Sequence, residues 1–479
     1  MKRILIIAAA LFTGSVMAAQ TDMLVKMAPA SQKSTMMSLQ ARLPAGSKVE
    51  DLGIAGWTRV AMPTSDAASM ATIFNMPGVL KVERNAKLGL LENFKVTNPR
   101  IRAEIQRLGA IGALGEAPTT DNPPIPSSGS GGSGADPMFS KQWGMNQMGV
   151  NTAWGTTKGR PEVIVGVIDT GVDYTHEDLI DNMWRNPGEI PDNGIDDDHN
   201  GYVDDIVGWD FPNNDNKPYD LTASMMDMLL SGGNPGHGTH CAGNVAARGD
   251  NGKGIAGVAP NVRIMALRFI TEKGQGTTAD AIKAIKYGVD NGAKVLSNSW
   301  GSVGDDGGEE SRALQDAIAY SEAHGVLFVA AAGNGDSQGK GYDNDTNAKP
   351  AFPATYTNDI IVSVAAIDVN GNLGTFSNWG ARSVDLAAPG VKVFSTVTQS
   401  EKYSDTVIDI PGLITATWDG TSMATPHVAG AAALYISANP TKDWRAVKNA
   451  LLSSVKRTSV LQNKTVSGGQ LNVADLMRF

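Results

Sequence analysis

Three polar residues stand where a folded chain presents groups for chemistry. Asp169 closes the apolar run VIVGVID (163–169), His237 lies between Gly236 and Gly238 in GHGTHCAG (236–243), and Ser422 lies in GTSMATPHVAG (420–430), where a helix begins. Nucleophilic acyl transfer needs a hydroxyl to attack, an imidazole titrating near neutrality to take its proton, and a carboxylate to hold that imidazole in one tautomer. A serine at a helix start gains further from free backbone N–H groups and the positive end of the helix dipole, which favour a developing oxyanion. Asn334, in VAAAGNG (329–335) directly after another apolar run, has a side-chain amide that can donate to the same oxygen. Singly, each has a duller role: a turn residue at a strand end, a structural histidine between glycines, a helix N-cap. Their combination argues for catalysis.

Neighbouring chemistries fail on particular residues. The DTG at 169–171 has no second copy, whereas an aspartic protease needs two carboxylates sharing a proton. His237 and His240 have no adjacent glutamate, unlike the HExxH zinc motif, and GTSMA around Ser422 is not the GxSxG elbow of the α/β-hydrolases.

DTG, HGTHCAG (237–243), AAGN (331–334) and GTSMATPHVAG, in the order Asp, His, Ser, resemble the motifs of the subtilisin-like serine proteases, and the likeness runs from about Asp136 to the C-terminus. The resemblance implies a serine endopeptidase that hydrolyses peptide bonds through an acyl-enzyme, with Asp169, His237 and Ser422 as the triad and Asn334 as the oxyanion donor. The alternative is a catalytically inactive peptide-binding relative, which would have lost a triad member; all three are present. Ser299, Trp300 and Gly301 of SNSWG map onto the segment behind the pocket for the residue before the scissile bond, and Gly274 to Gly276 onto the opposite edge. An extended polypeptide held between those edges would be bound mainly through its backbone, which implies broad sequence tolerance. Cys241, one helical turn from His237, is expected to be a small core residue.

The elements that must position these groups are legible as well. From Ala135 onward apolar runs alternate with helical periodicity, which predicts an α/β domain with a doubly wound, mainly parallel sheet flanked by helices. The expected strands are Val163 to Ile168, Arg263 to Phe269, Lys294 to Asn298, Val326 to Ala330 and Ile360 to Ala365. Ile282, Ile285 and Val289 mark one helix, Leu314, Ala317 and Ile318 a second, and Trp444, Val447 and Leu451 a third. Before this domain, residues 20–95 mix short β runs with a helical stretch around Ser65 to Asn75, a small α+β unit that the resemblance identifies as a propeptide, an intramolecular inhibitor and chaperone. Residues 96–135 hold a helix that Asn98 can cap, with Pro99 at its first position, and then a Pro/Gly/Ser-rich linker. Lys2 and Arg3, the apolar run Ile4 to Phe12 and the small residues before Ala19 form the layout of a signal peptide over 1–19, so a secreted zymogen is expected, extracellular or periplasmic in transit.

Composition fits that reading. The chain has 479 residues, a net charge of −9 and no long basic run, so nucleic acid is not an expected partner. No later stretch is apolar enough for a membrane span, and the enzyme is expected to act as a monomer. The single cysteine excludes an intramolecular disulfide, which leaves packing or bound metal to provide toughness.

Residues 192–205 hold six aspartates in one short stretch, which repel one another without a cation. Asp196, Asp198 and Asn200 followed by Gly201 match the start of a calcium loop, but position 12 is Val207, so Asp204 or Asp205 would complete the shell. The resemblance implies a second calcium site through Gln142 and Asp178, the latter placed in the strand following Asp169. One or two structural calcium ions are therefore expected.

Overall fold

The computed structural model describes residues 21–63, 67–92, 94–114, 122–127, 132–302, 310–336, 338–398 and 400–479. The expected leader at 1–19 and part of the Ser/Gly linker lie outside them. The chain divides into two compact units, residues 1–85 and 86–479.

The first unit is a four-stranded antiparallel sheet with two helices. Its elements are β1 (Thr21–Met27), α1 (Gln32–Arg42), β2 (Lys48–Asp51), β3 (Trp57–Met62), α2 (Ala67–Phe74) and β4 (Val79–Arg84), with sheet order β2-β3-β1-β4. Met23, Val25, Met27, Leu39, Val60, Met62 and Ile73 make one apolar cluster. The alternation in β1 and β3 sends these side chains to the same face. Helix α1 was not foreseen, because its sequence QKSTMMSLQAR buries only Thr35 and Leu39 and carries little apolar periodicity.

The second unit opens with β5 (Lys87–Gly89) and α3 (Pro99–Ala110). The Asn98 side chain caps α3 by accepting from the N–H groups of Arg100 and Ile101, as its sequence suggests. The sequence reading closes the first unit at residue 95, whereas the structure groups 86–135 with the second unit.

The second unit is built on a nine-stranded sheet. Its strands include β6 (Ile164–Asp169), β7 (Gly208–Asp210), β8 (Arg263–Arg268), β10 (Val295–Asn298), β12 (Leu327–Ala331), β13 (Ile361–Ile367) and β14 (Leu386–Pro389), and two further short strands, Lys456–Arg457 and Gly469–Gln470, close the edge beyond β14. Short strands β9 (Gln275–Thr277) and β11 (Gly301–Ser302) lie outside this sheet. All pairings in the large sheet are parallel except that between the last two strands. The five expected strands appear within one or two residues of their expected ends. They read as continuous apolar runs because helices such as Thr278–Asp290 and Arg312–Ala323 cover the sheet.

β6 pairs with β8 on one side and β10 on the other, so the connections after it run to both sides of this strand. Such a switch point leaves a crevice beyond the carboxyl ends of the strands, and Asp169 is the last residue of β6. One expectation is corrected here: Asp178 lies in a turn rather than a strand. The chain leaves the sheet at Asp169 and bends at once, with Gly171 at φ 106°.

Candidate active site

His237 is the first residue of a helix over His237–Ala246, and Gly236 precedes it with φ 96°. The Asn234 side-chain Oδ1 accepts from the backbone N–H groups of Gly236 and His237, which fixes the approach to the helix. A Cβ on Gly238 would stand 2.1 Å from Gly171 O and 3.1 Å from Asp169 Cβ, so only glycine lets this helix end meet the end of β6. Both elements are tied together by Asp220. Its carboxylate accepts from Thr170 Oγ1, Asn234 Nδ2, and both the N–H and hydroxyl of Thr239. Complete burial pushes the Asp220 pKa up, and those four donors counter it.

The result is a carboxylate–imidazole pair inside the protein. His237 Nδ1 donates to Asp169 Oδ1 at 2.7 Å, and the same oxygen accepts from Thr170 N at 2.7 Å. Burial alone lowers the imidazole's pKa. The Asp169 carboxylate, with Glu92 adding to it, outweighs burial and carries the pKa well above the ordinary value. Cys241 is buried 3.8 Å from His237 Nδ1. Its thiol is pushed up to about 11 by burial, which leaves it protonated and unreactive at neutral pH.

Ser422 is the second residue of the helix Thr421–Ala438. That helix is buried on nearly every side and has proline at 426. Pro426 has no N–H, so the Ser422 carbonyl, four residues earlier, has no partner within the helix ladder. It accepts instead from Ser299 Oγ at 2.8 Å and from Cys241 Sγ at 3.5 Å, which pins the serine to the ends of β10 and the His237 helix. The Ser422 hydroxyl itself donates to Ser299 O at 3.1 Å.

Asn334 follows β12 and is oriented by its neighbours. Its Oδ1 accepts from both the N–H and the hydroxyl of Thr421 at 2.8 Å, so its Nδ2 must face the crevice. There Nδ2 donates to Glu92 Oε1 at 2.9 Å, while Glu92 Oε2 lies 3.1 Å from His237 Nε2. Glu92 went unnoticed in the sequence.

The two edges assigned to substrate are paired with a strand of the chain itself. β5 runs antiparallel to both: Gly89 faces Gly301 and Gln275, and Leu88 faces Ser302 and Gly276. Leu90 N donates to Gly274 O at 3.2 Å. Trp300 is wholly buried beneath this region against Phe269 and Phe328.

Of the acidic stretch, the structure gathers Asp198 and Asp205 with Glu189, their carboxylate oxygens within 4.8 Å of one another. Asn186 and Asn200 each donate to both aspartates, and Tyr287 donates to Asp205. Asp196 and Asp204 are occupied by backbone amides, of Asn200 and Gly201 and of Asn193 and Gly194 respectively. Burial pushes Asp205 up to about 6, and Asp198 adds to the shift. Three converging carboxylates, a set of hard oxygen donors, fit a hard divalent cation such as calcium. Glu189 was missed because it precedes the aspartate run by several residues.

Gln142 and Asp178 both reach the loop over 251–256, but by hydrogen bonds to it. The Gln142 amide is used on both sides by Ala256, and Asp178 accepts from Asn251 Nδ2 and Ile255 N. Asp136, not singled out in the sequence, bonds the same loop at Asp250 and Asn251, and its pKa is raised by burial with the charges of Asp178 and Asp250 adding.

Comparison with known proteins decides the family. The profile of Peptidase_S8, described as the Subtilase family, matches residues 160–471. The chain belongs to the subtilase family, a family of serine-type endopeptidases. A thermophilic serine proteinase of Bacillus sp. (strain AK1) is 38% identical over 296 residues, covering 62% of this chain and 57% of the relative. Thermitase of Thermoactinomyces vulgaris is 37% identical over 304 residues, covering 63% of this chain and 85% of thermitase. Fervidolysin of Fervidobacterium pennivorans, described as a keratinolytic enzyme related to subtilisin, shares the fold with TM-score 0.66 at 23% identity, over 97% of this chain and 62% of that one. This chain therefore spans little more than half of the first relative and most of the second. No helix among the described residues of the subtilase chain is long and apolar enough to cross a membrane.

Proposed function

We propose that the protein is a secreted serine endopeptidase made as a zymogen and stabilised by calcium. In this reading Ser422 Oγ turns from Ser299 O to His237 Nε2, gives up its proton there and attacks the peptide carbonyl. Asp169 holds the Nδ1–H of the imidazole and stabilises the imidazolium that forms. Asn334 Nδ2 and the Ser422 N–H receive the oxyanion. His237 then gives its proton to the leaving amine as the C–N bond breaks, and water repeats the cycle to release the acid. Ser299, Trp300 and Gly301 on one side, and Gly274 and Gly276 on the other, hold the polypeptide as an added strand.

The observation that carries this reading is the Asp169–His237 pair at 2.7 Å, set at the end of a crevice in which β5 is already paired on both edges. Residues 20–95 act as the inhibitory propeptide, and 1–19 as the secretion signal. Glu189, Asp198 and Asp205 hold one calcium. Calcium supplies positive charge that lets these carboxylates stay ionised and packed. The test is hydrolysis of an unstructured polypeptide by purified protein against Ser422→Ala. Cleavage by the parent and none by the variant supports the reading; equal cleavage overturns it.

A further inference from the structure

The chain through the crevice does more than fill it. Residues 87–90 bind as a substrate strand would, and a methyl group of Leu91 lies 2.9 Å from where a Cβ on Gly301 would be. At the next residue the chain directs a carboxylate into the catalytic groups. Glu92 Oε1 accepts from Asn334 Nδ2 at 2.9 Å and lies 2.1 Å from where a Cβ on Gly420 would be. Glu92 Oε2 approaches His237 Nε2 to 3.1 Å, off the hydrogen-bond direction, so that contact is one of charge. The side chain is 3% exposed.

Each contact removes something the reaction needs. The donor that would stabilise an oxyanion already holds a negative oxygen. The ring nitrogen that would accept the serine proton faces a carboxylate, and the Ser422 hydroxyl donates elsewhere, to Ser299 O. Flanked by Asp169 on one side and Glu92 on the other, the imidazole is stabilised as the cation, which is not a base.

Resting on the catalytic roles proposed above, we propose that Glu92 is an intramolecular inhibitor of the uncut chain: its carboxylate takes the oxyanion donor and the imidazole, and the precursor stays latent while it does. A glutamine at 92 keeps the shape and loses the charge. An alanine leaves the donors free.

The test uses the full chain as the parent, Glu92→Gln, Glu92→Ala and Ser422→Ala. Freshly isolated precursors are followed by mass spectrometry for self-cleavage and by a fluorophosphonate probe for labelling of Ser422. Both Glu92 variants should self-process and label about tenfold faster than the parent, or more, since each removes a charge-assisted contact. Equal or slower rates would overturn the proposal. Where the precursors convert too quickly to isolate, synthetic peptides with the sequence of 86–96, bearing Glu or Gln at the position of Glu92, are compared as inhibitors of the processed enzyme. The Glu peptide should bind about tenfold more tightly, and equal inhibition would overturn the proposal. Ser422→Ala separates the two readings: its precursor should stay intact, and normal processing of it would sink the role of Ser422 rather than that of Glu92.

Discussion

The catalytic corner and the acidic loop both crowd carboxylates, and they treat the charge in opposite ways. Asp169 and Glu92 converge on the ring of His237, so the chain supplies its own positive partner. Glu189, Asp198 and Asp205 converge on one another, and among the described residues their partners at that point are amides and the Tyr287 hydroxyl. Neutral dipoles soften repulsion without cancelling it. The first arrangement can switch its charge by moving a proton, whereas the second, in the reading proposed above, takes its positive charge from a bound ion. One suits chemistry and the other suits holding a fold together.

Changes in each region break or sharpen that contrast. Losing the nucleophile should be the most severe: Ser422→Ala is expected to lower peptide hydrolysis by a factor of about 10⁴ or more, read from initial rates on a peptide substrate. Asp169→Asn leaves the packing and removes the charge that orients His237, so a loss on the order of 10⁴ in kcat is expected with little change in thermal midpoint. Asn334→Ala should cost about 10² to 10³ in kcat with KM nearly unchanged, because the donor acts on the transition state. These three act on the corner and should leave sensitivity to chelators untouched.

The acidic loop should behave in the reverse manner. In the inactive Ser422→Ala background, which prevents self-digestion, a calcium chelator is expected to lower the thermal midpoint by about 5 °C or more, as for loss of a ligand well above its dissociation constant. Glu189→Gln should remove much of that sensitivity. An unchanged midpoint in chelator would make the loop a solvated acidic turn and end the comparison.

The smallest effect concerns pH. His240 and His427 are buried neutral, their pKa values pushed down by burial to about 3 and about 4. As pH falls below about 6.5 the unfolded chain takes protons at these positions and the folded one does not, so each costs stability down to its folded pKa. Asp205 and Asp210, held up at about 6 by burial, act in the opposite direction, since the folded state takes their protons first. His427→Gln separates the two trends. Its stability relative to the parent should rise by about 2 kcal/mol between pH 7 and pH 4.5, read from denaturant midpoints in the Ser422→Ala background.

The parts of this molecule that were legible are those whose signal is local. Strands β6, β8, β10, β12 and β13 are apolar runs because both faces are covered. Asp169, His237, Asn334 and Ser422 sit at the ends of such elements within long motifs. The edges at Gly274–Gly276 and Ser299–Gly301, expected from the family resemblance to hold substrate, lie where β5 pairs with Gly301 and with Gln275 and Gly276. What stayed hidden depends on contacts between distant residues. Glu92 reaches Asn334 across 242 positions, and an isolated glutamate after two leucines carries no mark of that meeting. Asp220 resembles any loop aspartate until Thr170, Asn234 and Thr239 close on it. Within the acidic run, spacing suggested Asp196 and Asp204 as ligands; both accept from backbone amides of local turns, as Glu189 does, but only Glu189 converges with Asp198 and Asp205.

The central claim is that His237, oriented by Asp169, activates Ser422 toward acyl chemistry. It is tested most directly by treating processed enzyme with a fluorophosphonate, mapping the adduct by mass spectrometry, and repeating with His237→Ala after processing in trans. A single adduct on Ser422, lost in the variant, is the expected result. An adduct on another residue, or undiminished labelling of Ser422 without the imidazole, would contradict it.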